Sequence, residues 1–148
     1  MGATGATGAV GPTGPTGPTG TAVLTAFGSV YTLADGDTIT VAPGESVLFT
    51  ANGVLAGVTH TPGAAAVIPA QTGTYLIEYA VYADGSIVLT RNGVPEPGTA
   101  LTGGPLTGTT VLSAEAGDTL EIRNAGEADL TLPPSPAAGA QMTLVRLS

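Results

Sequence analysis

One histidine, His60, and a complete lack of cysteine and lysine set the limits on the chemistry available to this chain. A zinc site needs several nitrogen or sulfur ligands, which a lone His60 cannot supply within one chain. Only three copies meeting at a symmetry axis offer a route to a shared histidine site; otherwise His60 reads as a loop or strand-edge residue. Serine and threonine are plentiful, but a hydroxyl nucleophile needs an adjacent base, and no partner set exists for one. Asp35-Gly36-Asp37 begins like a calcium loop yet lacks the later ligands and the closing glutamate, so it reads as a polar turn. The residues therefore predict no catalytic site, no metal and no cofactor.

Three acidic and basic positions suggest structural roles. Glu121 and Arg123 lie two apart on one strand face, with Leu120 and Ile122 on the core face. They form either a solvated or cross-strand pair worth at most about 1 kcal/mol or an intersubunit contact that sets register. Glu78 sits between Leu76 and Tyr82 on a half-apolar strand face. Its apolar surroundings predict a subunit contact, with one of the arginines as its partner.

Those arginines are Arg91, Arg123 and Arg146, the only cationic side chains besides the histidine, against 11 acidic residues and a net charge of −8. A nucleic-acid binder needs a basic footprint to neutralise phosphates, and this chain has none. An anionic membrane surface is disfavoured for the same reason. Mean hydropathy is nevertheless +0.36, while no apolar run approaches the roughly 18–20 residues of a bilayer span. A weakly charged, apolar, glycine-rich chain of this kind is expected to bury surface in an oligomer. Residues 2–20 carry neither the charged nor the apolar region of a signal peptide. Met1 directly before a Gly triplet reads as a start placed on a fragment of something longer.

Glycine recurs at Gly2, Gly5, Gly8, Gly11, Gly14, Gly17 and Gly20, giving the triplets GAT, GAT, GAV, GPT, GPT and GPT. A glycine every third residue is the requirement of the collagen triple helix, whose crowded axis admits only hydrogen. A flexible linker needs composition and not register, so it is the weaker reading. Residues 1–20 are thus expected to be a collagen-like stalk of roughly 60 Å if fully wound. A triple helix implies three chains. So short a stem, without hydroxyproline, is marginal alone and relies on the head domain to hold its strands together. Thr4, Thr7, Thr13, Thr16 and Thr19 would point outward, either to carry O-linked sugar or to hydrate the rod.

Residues 21–148 have a different texture: short runs of Thr, Val, Ile and Tyr separated by turn signals, without a sustained helical period. Strands are expected near 22–27, 29–33, 38–42, 46–51, 64–69, 74–82, 86–91, 107–113, 118–124 and 141–147. In the clearest, Tyr75, Ile77, Tyr79 and Val81 should face a core, with Leu76, Glu78, Ala80 and Tyr82 opposite. Asp35-Gly36, Asn52-Gly53, Asp84-Gly85 and Asn92-Gly93 read as turns, as do Pro43-Gly44, Pro62-Gly63 and Pro97-Gly98. The segment 94–105 is too rich in Pro and Gly for a central strand. The pattern predicts an all-β sandwich or jelly roll as the trimerising head.

Several segments carry a family resemblance: His60-Thr61-Pro62-Gly63, Thr72 to Tyr79, Arg91-Asn92-Gly93-Val94, Val111 to Leu120, and Gly139 to Ser148. In this order, behind a GAT/GPT stalk, they resemble the C-terminal domain of BclA-type collagen-like glycoproteins of the bacterial spore surface. The resemblance implies a C1q/TNF-like jelly roll, homotrimeric about a three-fold axis, with the filament anchored to spore layers and the head outward, on the exosporium. The anchoring segment of that family has no counterpart in this sequence. The expected function is that of a structural protein, in which the head caps the filament and nucleates its triple helix. Two other readings stand beside it. One is an adhesion or ligand-binding module using loops 52–63, 84–86 and 94–106 towards a host surface; the other is the tip of a viral tail fibre.

Overall fold

The computed structural model describes residues 1–14 and 25–148. The stalk positions Thr16, Gly17, Thr19 and Gly20, and residues 22–24 of the strand expected over 22–27, lie outside the described residues. Residues 1–14 are exposed and carry no regular secondary structure.

Among the described residues the head contains thirteen strands: β1 (Phe27–Ala34), β2 (Ile39–Val41), β3 (Ala51–Ala56), β4 (Val58–Thr59), β5 (Ile68–Pro69), β6 (Gly73–Val81), β7 (Gly85–Arg91), β8 (Val94–Pro95), β9 (Leu101–Gly103), β10 (Leu106–Ala114), β11 (Leu120–Asn124), β12 (Leu130–Leu132) and β13 (Ser135–Arg146). Among the described residues there is no helix. One layer is a five-stranded antiparallel sheet in the order β10-β6-β13-β1-β3. The other is built on β11 and β7, with β8 and β9 both pairing the far side of β7. The segment around Ser46–Val47, together with Val67, hydrogen-bonds the free side of β11. Neighbours in the first sheet are distant in sequence, as in a jelly roll rather than a meander.

The core lies between the layers. β6 contributes Tyr75, Ile77, Tyr79 and Val81, as the two-residue alternation predicts, and all four are buried. β13 contributes Ala140, Met142 and Leu144, and the opposite layer Ile87, Leu89, Leu120 and Ile122. Fully burying such a side chain stabilises the fold by roughly 1.5–3 kcal/mol. Phe49 completes one end and meets the His60 ring edge-to-face, with ring centroids 5.9 Å apart.

Buried polar groups in this core are hydrogen-bonded, as low-dielectric surroundings demand. The Tyr79 hydroxyl donates to the Thr99 carbonyl at 2.7 Å. Thr99 Oγ1 in turn donates to the Glu96 carbonyl and accepts from the Leu89 N–H, which fastens the 94–105 segment across β7. Burial pushes the Tyr79 phenol above its ordinary value, partly offset by the bond to Thr99. Opposite Tyr79 on β10 stands Gly108, where any Cβ would run into the phenol ring. Asn124 donates to the carbonyls of Val41 and Ala128 and accepts from the Gly126 N–H.

Several strand boundaries differ from expectation. The expected 46–51 strand is reduced to bridges at Ser46 and Phe49. The ordered strand begins at Ala51 instead and runs straight through Asn52-Gly53. That dipeptide sits at a register irregularity between β1 and β3, and the Asn52 amide is bonded to His60 rather than closing a turn. Residues 64–69 keep only β5 and two bridges. β12 has no counterpart among the strands expected from the sequence. The Asn92-Gly93 turn is present, with Asn92 at φ 52°. The 94–105 segment supplies two short strands, both at the margin of the second sheet.

Candidate functional site

The face of the five-stranded sheet turned away from the core is covered by no other element of the chain's two layers. Its composition follows from strand register. Reading across β10, β6, β13, β1 and β3, one row is Val111, Leu76, Val145, Phe27 and Ala56. The next is Thr109, Glu78, Thr143 and Ser29, and the third Thr107, Ala80, Gln141, Tyr31 and Ala51. The first row is wholly apolar across all five strands. It lies at the end where the chain enters β1, beside the zipped C-terminus, where Arg146 N–H bonds the Ala26 carbonyl.

Exposure separates this face from the core. Val111 is 55% exposed and Tyr82 42%. Glu78 is exposed, and Leu76, Phe27, Tyr31 and Val145 are half-buried. Ala80, expected with them, is buried at 4%. A shallow groove of about 310 Å³ runs along β6 and β10, lined by Glu78, Tyr82, Thr107, Thr109 and Gln141 among others. A contiguous apolar row rimmed by hydroxyls marks an interaction surface rather than a solvated one.

The sequence singled out Leu76, Glu78, Tyr82, Glu121 and Arg123, and the fold splits them. Leu76 and Glu78 stand on the open face, with Tyr82 bordering its groove. Glu121 and Arg123 are on β11, in the other layer, and they are not paired with each other. Glu121 accepts from the Ser46 hydroxyl at 2.6 Å, and Arg123 donates to the Gly93 carbonyl at 3.0 Å. Arg123 Nε is the one buried side-chain polar atom without a partner among the described residues. Val111, Val145 and Phe27 are the face residues that sequence reasoning missed, because only register brings them into line with Leu76.

Among the described residues Glu78 forms no ion pair within its own chain. Arg91 forms the single ion pair among the described residues, to Glu96 at 2.6 Å, and also donates to the Ser113 carbonyl. Arg146 donates to the Thr72 carbonyl and the Thr25 hydroxyl. His60 lies between the Asn52 amide oxygen, 2.5 Å from Nδ1, and the Ala64 carbonyl, 3.0 Å from Nε2. It is a structural clamp between β3 and the 60–64 loop. Among the described residues no group of three or more His, Cys, Asp or Glu side chains is arranged to hold a metal ion. The Asp35-Gly36-Asp37 motif forms a turn after β1, its Gly36 N–H bonded to the Ala34 carbonyl. The glycines from Gly2 to Gly14 would meet nothing within 4 Å if given a Cβ. Nothing within one chain requires their period.

With this geometry in view, the fold class is that of C1q/TNF-like jelly rolls. Murine APRIL shares 16% identity at a TM-score of 0.59, over 82% of this chain and 98% of that one. The globular domain of zebrafish complement 1qA protein shares 14% at a TM-score of 0.58, over 83% and 98% respectively. GITRL from bushbaby shares 16% at a TM-score of 0.52, over 82% and 93%. At such identities the likeness concerns the fold alone. The family model of the BclA C-terminal domain matches residues 30–148, and the chain belongs to that family. No curated protein sequence matches it.

Proposed function

We propose that this chain is the stalk-and-head portion of a homotrimeric, collagen-like filament of the bacterial spore surface, and that its role is structural rather than enzymatic. The observation that carries the reading is the apolar row Val111-Leu76-Val145-Phe27-Ala56, which crosses the open sheet at the end where β1 begins. The occupant of that face is a second copy of the chain, since the Gly-X-Y period of residues 1–20 has physical meaning only for three chains wound together. Association of three heads holds three stalks at high local concentration and in one register, so that winding becomes effectively intramolecular. A ring of three heads is closed, which is the usual outcome for soluble homo-oligomers. Membership in the BclA C-terminal family supports placement on the exosporium. The outward threonines of the stalk are then suited to O-linked sugar. A catalytic role has no support in the residues, since the sole histidine is engaged by Asn52 and Ala64.

Size exclusion with light scattering tests the reading directly. The purified chain should run at three times 14.3 kDa. Leu76→Asp, which sets a charge in the apolar row, should weaken association at least about a hundredfold while leaving the β-sheet circular dichroism intact. A wild-type chain that is folded and monomeric at micromolar concentration contradicts the reading.

A further inference from the structure

The chain has three asparagines, and two of them, Asn52 and Asn92, are followed by glycine. An Asn-Gly pair is the least hindered setting for attack of the next backbone nitrogen on the asparagine side-chain carbon, since glycine carries no Cβ. Asn92 and Gly93 form the exposed two-residue turn between β7 and β8, at φ 52° and 78°. The Asn92 amide is nevertheless held at both of its polar atoms by the turn between β10 and β11. Its Nδ2 donates to Asp118 Oδ1 at 2.7 Å, and its Oδ1 accepts from the Thr119 N–H at 2.9 Å. The Asn92 N–H donates to the Thr119 carbonyl at 2.9 Å. Asp118 is fixed in turn by the Glu115 N–H, 2.9 Å from its other oxygen. A groove of about 390 Å³, lined by Asn92, Glu115 and Asp118 among others, keeps this pair of turns open to water. Asn52 lies instead within β3, where its Nδ2 donates to the His60 carbonyl at 3.2 Å.

We propose that Asn92-Gly93 is a self-modification site of the head, a deamidation site that Asp118 holds shut, and that its conversion is one-way. The proposal does not depend on the trimeric reading. In the reaction the Gly93 nitrogen gives up its proton to solvent and bonds to the Asn92 side-chain carbon. The bond from that carbon to Nδ2 breaks, and the nitrogen takes up a proton and leaves as ammonia. Water then opens the cyclic imide at either of its two C–N bonds, giving aspartate or isoaspartate at position 92. The net change is amide plus water to carboxylate plus ammonium. Both polar atoms of the amide are turned towards the neighbouring turn, so it must leave Asp118 and Thr119 before its carbon can meet the Gly93 nitrogen. That opening breaks a hydrogen bond to a charged acceptor, one of the stronger kinds, and so is a minor excursion of the native state. Asp118 does not promote the chemistry. Its bonds to Asn92 and then Glu115 hold its carboxyl below the usual range, so at neutral pH it has no proton to give the departing nitrogen. The product cannot restore the clamp. Aspartate sets a second carboxylate where an amide donor met Asp118, and like charges at that spacing repel. Isoaspartate lengthens the backbone of the turn and puts it out of step with the Arg91–Val94 pairing.

The test incubates the full chain at neutral pH and follows the mass gain of amide-to-acid exchange by peptide mapping. Trypsin cleaves after Arg91 and so places the two Asn-Gly pairs on separate peptides, which makes Asn52 an internal reference. Asn92 should react at least about tenfold more slowly in the folded wild type than in the same chain in urea. Asp118→Ala should raise the folded-state rate at Asn92 at least about tenfold and leave Asn52 unchanged. Asp118→Asn, which keeps an acceptor oxygen but not the charge, should fall between the two. Asn92→Asp, which carries the product's side chain, should melt several degrees below wild type at neutral pH. Equal rates at Asn92 in folded and urea-unfolded wild type would overturn the proposal. So would a wild-type rate at Asn92 in either Asp118 variant, or a slower one, which would mean that Asp118 assists the reaction. Equal acceleration of Asn52 and Asn92 would overturn it too, since general loosening of the fold would then account for the effect. An Asn92→Asp variant as stable as wild type would show that the clamp survives conversion.

Discussion

Asp118 shows how one side chain can fasten two turns. Its carboxylate accepts from the Asn92 amide at 2.7 Å and from the Glu115 N–H at 2.9 Å. The Asn92 bond, then the Glu115 bond, hold the carboxyl below the usual carboxylate range. A lowered folded-state value means that its contribution is present above the ordinary carboxylate value and fades as pH falls through the lowered one. Asp118→Asn should therefore lower the melting temperature by a few degrees at neutral pH. The gap to wild type should close below about pH 4. A scanning-calorimetry series in which the gap is independent of pH would contradict this role. The sequence marks Asn92-Gly93 as a turn because asparagine tolerates positive φ, but it gives no hint of the Asp118 partner 26 residues away. The same holds for Asn124, whose buried amide reaches Val41, 83 residues distant. Polar pairings of this range leave no mark in local pattern.

At the scale of elements, alternation is the reliable signal where a strand is long and one face is dry. β6 illustrates this: its inward residues are legible from spacing alone, and burial bears them out. β12 is invisible because a Leu-Thr-Leu triplet before two prolines is too short to show a period, although Leu130 and Leu132 are both fully buried. Asn52-Gly53 misleads for a different reason. Gly53 is used there for close approach, since a Cβ would strike the Ser29 hydroxyl, and not for a reversal of the chain. The open face is half legible. Leu76 and Glu78 are in view, but the row they belong to depends on five strands coming into register. β13 carries the firmest prediction at this scale. It lies between β6 and β1 and buries Met142 and Leu144. Removing residues 141–148 would strip two ladders and two core side chains worth about 1.5–3 kcal/mol each, against a total stability of about 5–15 kcal/mol. The truncated chain should lose its β-sheet circular dichroism and its cooperative melt; a cooperative transition would show that the sheet tolerates the gap.

For the whole molecule, the two layers divide the labour. The inner surfaces form a core with few aromatics, built from Leu, Ile and Val and from Tyr75 and Tyr79. The outer surface of the first sheet remains apolar in one row and hydroxylated in the next. In the second layer, the charged residues Glu121 and Arg123 are bonded to groups of their own chain. The face proposed for subunit contact therefore belongs to the first sheet, whose outer surface no second layer covers. The C-terminal segment returns to the point where β1 begins: Ser148 and Leu147 bond Thr74, and Arg146 bonds Ala26. β6 runs from there for nine residues, roughly 30 Å at strand pitch, before the chain reaches the loops around Asp84 and Glu127. The C-terminal segment and the loops around Asp84 and Glu127 therefore lie at opposite ends of β6. In the filament proposed above, cargo fused after Ser148 would emerge beside the stem, whereas a peptide grafted at Glu127 would lie at the far end of the head. On assembled filaments an antibody should reach the Glu127 graft and be hindered at the Ser148 fusion. Equal labelling of both would mean that the head does not stand upright on its stem.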